Sequence, residues 1–312
     1  MSIGHKVRIV MRQGIALASS VTLPSEKSLK LERYLRGMED ARMLKQSDFV
    51  VASFGKSGRT WLCVLLSRYF QLRYGLPPNR LLQDDNFHNL NPAVPRVFFT
   101  HDNYLADYTG THDSKAPYAD SRVVLLLRHP ADTAVSQYFQ WRFRMPERKK
   151  LINAYPGGEG DLPLIDFVLG ESAGIPKIIR FMNLWASELD TVKAVCLVRY
   201  ETLRHDTAQT LAAVLGFMNE KPTPEELAQC VEFASVENMR EMEKGTFFRD
   251  PGTRMRPGDV SNPDSYKVRR AKVGGYRDYF TDEEVAKIDQ LVAASLSPAF
   301  GYTGKPADPR VI

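Results

Sequence analysis

The chain lacks the features that would place it outside the ordinary globular proteins. Only three of its 312 residues are cysteine, Cys63, Cys196 and Cys230. The count is odd and the spacing fits no ligand set, so neither a disulfide framework nor a cysteine metal site is expected. Cys63 falls in a helical apolar pattern and Cys196 in a strand pattern, which reads as buried reduced thiols and points to a reducing compartment. No apolar run approaches the roughly 20 residues that cross a bilayer. Ile15 to Val21 is too short for a secretory segment and is broken by Ser19-Ser20. The expectation is a soluble protein of the cytoplasm. Internal repeats and low-complexity linkers are absent from the sequence as well. The net charge of +5 is mildly basic, and no run of Lys and Arg forms a nucleic-acid tail. Glu147-Arg148-Lys149-Lys150 reads as a solvated surface.

What is present is an alternation of short apolar runs and helical patterns. Val7–Met11 suggests a short strand. From Ser25 or Glu26 to about Leu44, Leu31, Tyr34, Leu35, Met38 and Ala41 follow a helical period, with Pro24-Ser25 as punctuation. Strands are predicted at Phe49–Ala52, Arg96–Thr100, Arg122–Leu127 and Ala194–Val198. Helices are predicted at Thr60–Leu72, after His129-Pro130, at Thr210–Leu215 and at Thr223–Phe233. Such alternation implies a parallel sheet covered by helices on both faces, with ligands bound at the carboxyl ends of the strands. Lys56, His101, Arg128 and Tyr200 each fall just past a strand end, on one rim.

Gly55-Lys56-Ser57-Gly58 between a strand and a helix is a way of presenting backbone amides and a helix N-terminus to an anion. A nucleotide kinase could own such a loop. The Walker pattern, however, requires a glycine five residues before its Gly-Lys pair, and that position is Val50, inside the strand. The neighbouring strand ends in Arg128 where an NTPase places a metal-binding Asp. A cation there repels Mg²⁺ and attracts phosphate.

Lys56-Ser57-Gly58-Arg59-Thr60-Trp61 resembles the Lys-Ser-Gly-Thr-Thr-Trp loop of the cytosolic-type sulfotransferases, which use 3′-phosphoadenosine-5′-phosphosulfate (PAPS). Arg128-His129-Pro130-Ala131-Asp132-Thr133-Ala134-Val135-Ser136 resembles their second signature, which binds the 3′-phosphate. The similarity runs in order from about Asp48 to Phe280. It implies a three-layer α/β fold of the P-loop NTPase-like kind. Residues 47–312 would form the sulfotransferase domain, and residues 1–46 an extension whose amphipathic helix packs on it. It also implies transfer of a sulfonate from PAPS to a hydroxyl or amine of a small-molecule acceptor, leaving 3′-phosphoadenosine-5′-phosphate (PAP), with no metal. A small-molecule kinase and a non-catalytic PAP-binding module are the competing readings.

By the same resemblance, Lys56 contacts the bridging oxygen and the amides of Ser57, Gly58, Arg59 and Thr60 hold the 5′-phosphate. Trp61 stacks on adenine, with a core aromatic as its alternative. Arg128 and Ser136 clamp the 3′-phosphate. Tyr200 matches a tyrosine near adenine, or else simply packs. Ser235 matches a cofactor-side serine, with Ala234 and Val236 departing from the pattern. Arg269, Arg270 and Lys272 stand for a late phosphate-binding signature in which Ala271 replaces glycine and Tyr276 replaces tryptophan. His101 matches the general base of Lys-Thr-His. Phe99 stands where relatives carry lysine, and Arg59 is the residue expected to compensate. The acceptor pocket is expected from Phe87–Leu90, Tyr104–Tyr108, Tyr138–Phe143 and the loop Phe247–Tyr266; Tyr138, Phe139, Trp141 and Phe143 could form a hydrophobic wall of it, or, at that helical spacing, ordinary core packing. The stretch Gly245 to Asp264 matches a mobile cap. The relatives' dimer motif has lost its valine and glutamate at Arg277…Thr281-Asp282…Ala286, so the oligomeric state stays open.

Overall fold

The structure is a computed structural model that describes residues 3–157, 162–245, 247–248 and 255–312, with backbone alone for residues 3–9. Four strands, β1 (Phe49–Ser53), β2 (Val97–Thr100), β3 (Arg122–Leu127) and β4 (Ala194–Arg199), form a parallel sheet in the order β2-β1-β3-β4. Val50 lies beside Phe98 on one side and Val123 on the other, and Leu125 lies beside Leu197. Alternate residues feed two separate cores, as the two-residue period of a strand demands. Val50, Ala52, Val123, Leu125 and Leu127 face one; Val51, Val124, Leu126 and Val198 face the other.

The helices cover both faces. They are α1 (Ile3–Thr22), α2 (Ser25–Gln46), α3 (Arg59–Tyr74), α4 (Leu105–Thr109), α5 (Pro130–Arg144), α6 (Glu147–Ile152), α7 (Leu164–Leu169), α8 (Ile175–Ser187), α9 (Tyr200–His205), α10 (Thr207–Phe217), α11 (Pro224–Phe233), α12 (Val236–Lys244) and α13 (Asp282–Ser295). The first core takes Trp141 of α5, Ile178 and Trp185 of α8 and Ile288 of α13. The second takes Leu62, Leu66 and Phe70 of α3, Leu211 of α10 and Cys230 of α11. All three cysteines are buried thiols. Leaving β1, the chain steps out to β2 and returns to β3 on the other side of β1. The carboxyl ends of β1 and β3 therefore flank a switch point, where such sheets open a crevice. The outer edge of β4 is covered by the C-terminus, with Ile312 N–H donating to Leu197 O at 2.8 Å.

The strand expected at Val7–Met11 is instead part of α1. Beyond the backbone-only residues, α1 packs through half-buried Arg12 and Ala16 and buried Ser19, the i, i+4, i+7 spacing of one helix face. The Val-Arg-Ile-Val run carries β-branched residues, but it joins none of the four strands and its backbone is helical. α2 matches its expected span closely and lies against α4 at Gly37, where an added Cβ would come 2.2 Å from Tyr104 O. Arg33 of α2 donates to Asp107 at 2.8 and 2.9 Å, to Asn103 O at 2.9 Å and to Ile152 O. α2 thus braces the segments that follow β2 and end α6. α10 runs beyond Thr210–Leu215 because the Asp206 carboxylate caps it, accepting from Gln209 N–H at 3.1 Å.

Candidate active site

The loop between β1 and α3 is held in a conformation most residues avoid. Lys56 has φ of 73° and Gly58 of 98°, both in the left-handed region. Gly58 cannot carry a side chain for a second reason, since a Cβ would lie 2.6 Å from the Tyr200 ring. The loop and the first turn of α3 line a cavity of about 570 Å³. Lys56, Gly58, Arg59, Thr60 and Trp61 face this cavity, whereas Ser57 is buried beside it at 2% exposure. Lys56 is half-buried at the cavity wall. Burial, and after it Arg144 and Arg269, push its amine down to about 7.

On the far side of the switch point Arg128 follows β3, with its guanidinium 4.5 Å from the centre of the Tyr200 ring. It donates to Lys56 O and to Lys272 O at 3.4 Å each, and its Nε is buried without a hydrogen-bond partner. Ser136, two turns into α5, faces the same cavity. Two carboxylates that sequence reasoning passed over hold this arrangement. Glu201 accepts from His129 N–H at 2.8 Å and from Tyr302 OH at 2.7 Å. Asp132, 3% exposed, accepts from Gly274 N–H at 2.8 Å and Tyr276 N–H at 2.9 Å. Asp132 thereby pulls the segment 269–276 over Arg128.

Arg269, Arg270, Ala271 and Lys272 all line the cavity. Arg269 lies over the Phe139 ring at 3.5 Å, while Arg270 and Lys272 reach Asp278 at 2.6 and 2.7 Å. Ala271 has φ of 51°, a conformation natural to glycine. Trp61 donates through Nε1 to Ala234 O at 2.9 Å. It meets Tyr200 edge-on at 5.9 Å and has Arg204 at 5.8 Å. The Ser235 hydroxyl caps α12, accepting from Asn238 N–H at 3.2 Å, and its neighbours Ala234 and Val236, not Ser235, line the cavity.

His101 follows β2 and also faces the cavity. Its Nδ1 lies 2.9 Å from Ser53 O. A carbonyl only accepts, so Nδ1 carries the proton and Nε2 the lone pair. Arg59 Nη2 donates to that lone pair at 2.7 Å. Burial, and next Arg59, hold the imidazole well below its usual pKa. The turn after His101 is fixed by Asp102, at φ of 55°, whose carboxylate takes Lys115 at 2.6 Å and Tyr118 OH at 2.8 Å. Phe99, 7% exposed, packs in the second core.

The residues present fit a multiply phosphorylated ligand. Among the described residues, eleven lining side chains are Lys or Arg and one, Asp132, is a carboxylate. A sequence model of the sulfotransferase domain matches residues 46–299. The chain belongs to the sulfotransferase family. Cytosolic sulfotransferase 17 of Arabidopsis thaliana is 26% identical over 84% of this chain and 79% of its own length. A 3-alpha-hydroxysteroid sulfotransferase of Cavia porcellus is 23% identical over 87% and 90%. A mouse sulfotransferase solved with PAP superposes with a TM-score of 0.55, at 20% identity over 82% of this chain and 89% of its own. These are PAPS-dependent transferases, and the four-stranded parallel sheet is their P-loop-like fold.

The acceptor end of this sulfotransferase differs from the one expected. Tyr138, Phe139 and Trp141 are buried at 5%, 9% and 1%, and with Phe143 they belong to the first core rather than the cavity wall. α5 turns Gln137, Gln140 and Arg144 to the cavity instead, one helix face at i, i+3 and i+7. Phe87 is enclosed in the second core, and Tyr104 and Tyr108 do not line the cavity, although Asn103 does. From the expected loop, Arg256, Pro257 and Gly258 contribute. Positions 246 and 249–254 of the expected cap lie outside the described residues. The part that follows is packed down by Glu243, 1% exposed, which takes Arg144 at 3.0 Å and Lys267 N–H at 2.7 Å. The basic run of α6 is not one solvated surface. Arg148 pairs with Glu32 at 2.6 Å, buried Lys150 pairs with Glu147 at 2.6 Å, and Lys149 lines the cavity.

Proposed function

We propose that the cavity binds PAPS and directs its sulfonate to a hydroxyl or amine of a small-molecule acceptor, with His101 as general base, Lys56 stabilising the leaving phosphate, and no metal. The convergence of four strand ends carries this reading: Lys56, His101, Arg128 and Tyr200 follow β1, β2, β3 and β4 and meet in one cavity.

PAPS supplies a sulfonate already bonded to a phosphate leaving group. The chain supplies position, charge and a proton acceptor. Lys56 and the first turn of α3 would meet the 5′ end, where oriented amides and an ammonium offset developing charge without reorganising. Arg128, Ser136 and the cations of 269–272 would hold the 3′-phosphate as a clamp. Trp61 and Tyr200 would border the adenine. Ser53 O fixes the His101 tautomer, so Nε2 is the atom that takes the acceptor's proton. Arg59 has to leave Nε2 for that, and the sulfonate is the anion it would turn to. With Phe99 packed in the core, Arg59 would take over the contact that relatives make with a lysine there. The names of the Arabidopsis relatives place them in the cytosol, and we assign this chain there too.

Incubation with PAPS and a panel of alcohols, phenols and amines should release PAP in step with sulfated product, unaffected by EDTA. Absence of PAP release across the panel, with ATP hydrolysed or transferred instead, would overturn the reading.

A further inference from the structure

Beyond Arg144, Arg204 and the cations assigned to the phosphates, four further cations line the cavity. They are Arg59, Lys149, Arg256 and Lys267. The charged groups that weigh most on His101 are Arg59, Lys149 and Lys267, all positive. Those that weigh most on Lys149 are Arg59, Arg36 and Arg144, again all positive. Glu243 is engaged by Arg144 and by the amides of Lys267 and Val268. Asp132 is engaged by Gly274 and Tyr276.

Lys149 stands out within its own helix. Its neighbours Arg148 and Lys150 have carboxylate partners, while Lys149 is solvent-exposed and lines the cavity together with other cations. Like charges gathered along one cavity wall repel; the basicity of Lys149 is lowered by burial at that wall first and by those neighbours next, although the side chain stays solvent-exposed. An anion in the cavity reverses the sign of that interaction. The phosphates of PAPS are met by Lys56, Arg128 and the 269–272 cations, and the sulfonate by Arg59. A charge remains to be matched at the acceptor end, where the α5 face is Gln137, Gln140 and Arg144 in place of aromatic rings.

We propose that the acceptor carries a compact oxyanion, a carboxylate, sulfate or phosphate, beside its reacting hydroxyl, and that Lys149 is the specificity-determining residue that holds it. This rests on the sulfotransferase reading and names the acceptor class it leaves open. Gln137 and Gln140 then hydrogen-bond the polar body of the molecule, and Lys149 places the hydroxyl toward His101 without touching the transferred group.

The test is a titration of the chain saturated with PAP, at low salt, with benzyl alcohol, with 4-(hydroxymethyl)benzoate and with the cationic 4-(aminomethyl)benzyl alcohol. The carboxylate should bind at least about tenfold more tightly than benzyl alcohol, the factor of one modest ion pair, and the cation more weakly than either. Lys149→Met should abolish the carboxylate's advantage while leaving the Kd values for PAP and benzyl alcohol unchanged, and Lys149→Arg should keep it. Equal or tighter binding of benzyl alcohol, no binding of the carboxylate, or an advantage that survives Lys149→Met overturns the proposal. Failure of PAP itself to bind would instead remove the sulfotransferase reading beneath it.

Discussion

Replacing His101 by alanine should lower kcat by about 10²- to 10⁴-fold, the span of a positioned general base, and leave the Kd for PAP within about twofold. The two readouts separate because His101 follows β2, whereas Arg128 and the 269–272 cations, proposed to meet the 3′-phosphate, lie on the β3 side of β1. The pH dependence carries a second signature. Burial and then Arg59 hold the imidazole well below its ordinary pKa, so the base form persists as the solution is acidified. The acid limb of kcat/KM should therefore lie below the usual histidine range. Arg59→Ala removes a positive charge from Nε2, lets the pKa rise, and should move that limb to higher pH while lowering kcat. A limb that stays in place in Arg59→Ala, or full activity in His101→Ala, would remove His101 from the role.

Lys56→Met should cost about 10²- to 10³-fold in kcat, the usual effect of losing one preorganised donor at a developing charge. It should also change the proton balance of binding. The Lys56 amine is pushed down to about 7 in the free protein. Above that pH it is mostly neutral, and an arriving phosphate favours its charged form. Binding of PAP at pH 8 should then take up a proton, by as much as about one per site, and affinity should fall as the pH rises through and above 7. Titrations in buffers of different ionisation enthalpy read this directly. Lys56→Met should abolish the uptake; the same uptake in wild type and variant would assign it to another group.

The strand-end residues that line the cavity were legible in the sequence because they sit in contiguous motifs. β1 to β4 were found within a residue or two, and their ends placed Lys56, His101, Arg128 and Tyr200 on one rim. The residues that hold the ligand groups in place were not legible, because their partners are remote. Asp132 meets Gly274 and Tyr276 across more than a hundred residues, Glu201 meets His129, and Arg33 reaches Asp107 and Ile152. The face of α5 was left open between wall and core for a different reason. Aromatics at helical spacing look alike whether they face a core or a cavity, and Tyr138 and Trp141 face the core. α1 was misread because β-branched residues suit a strand only when they pair into a sheet, and Val7–Met11 joins none of the four strands.

The central claim is that the cavity is built for a nucleotide with phosphates at both the 3′ and 5′ positions, held by the chain's own cations. Calorimetric titration with PAP and with ATP, each with and without Mg²⁺, tests it most directly. PAP should bind independently of Mg²⁺ and at least about a hundredfold more tightly than ATP, the worth of the buried 3′-phosphate contacts. Binding of ATP that requires Mg²⁺ and exceeds that of PAP would contradict it.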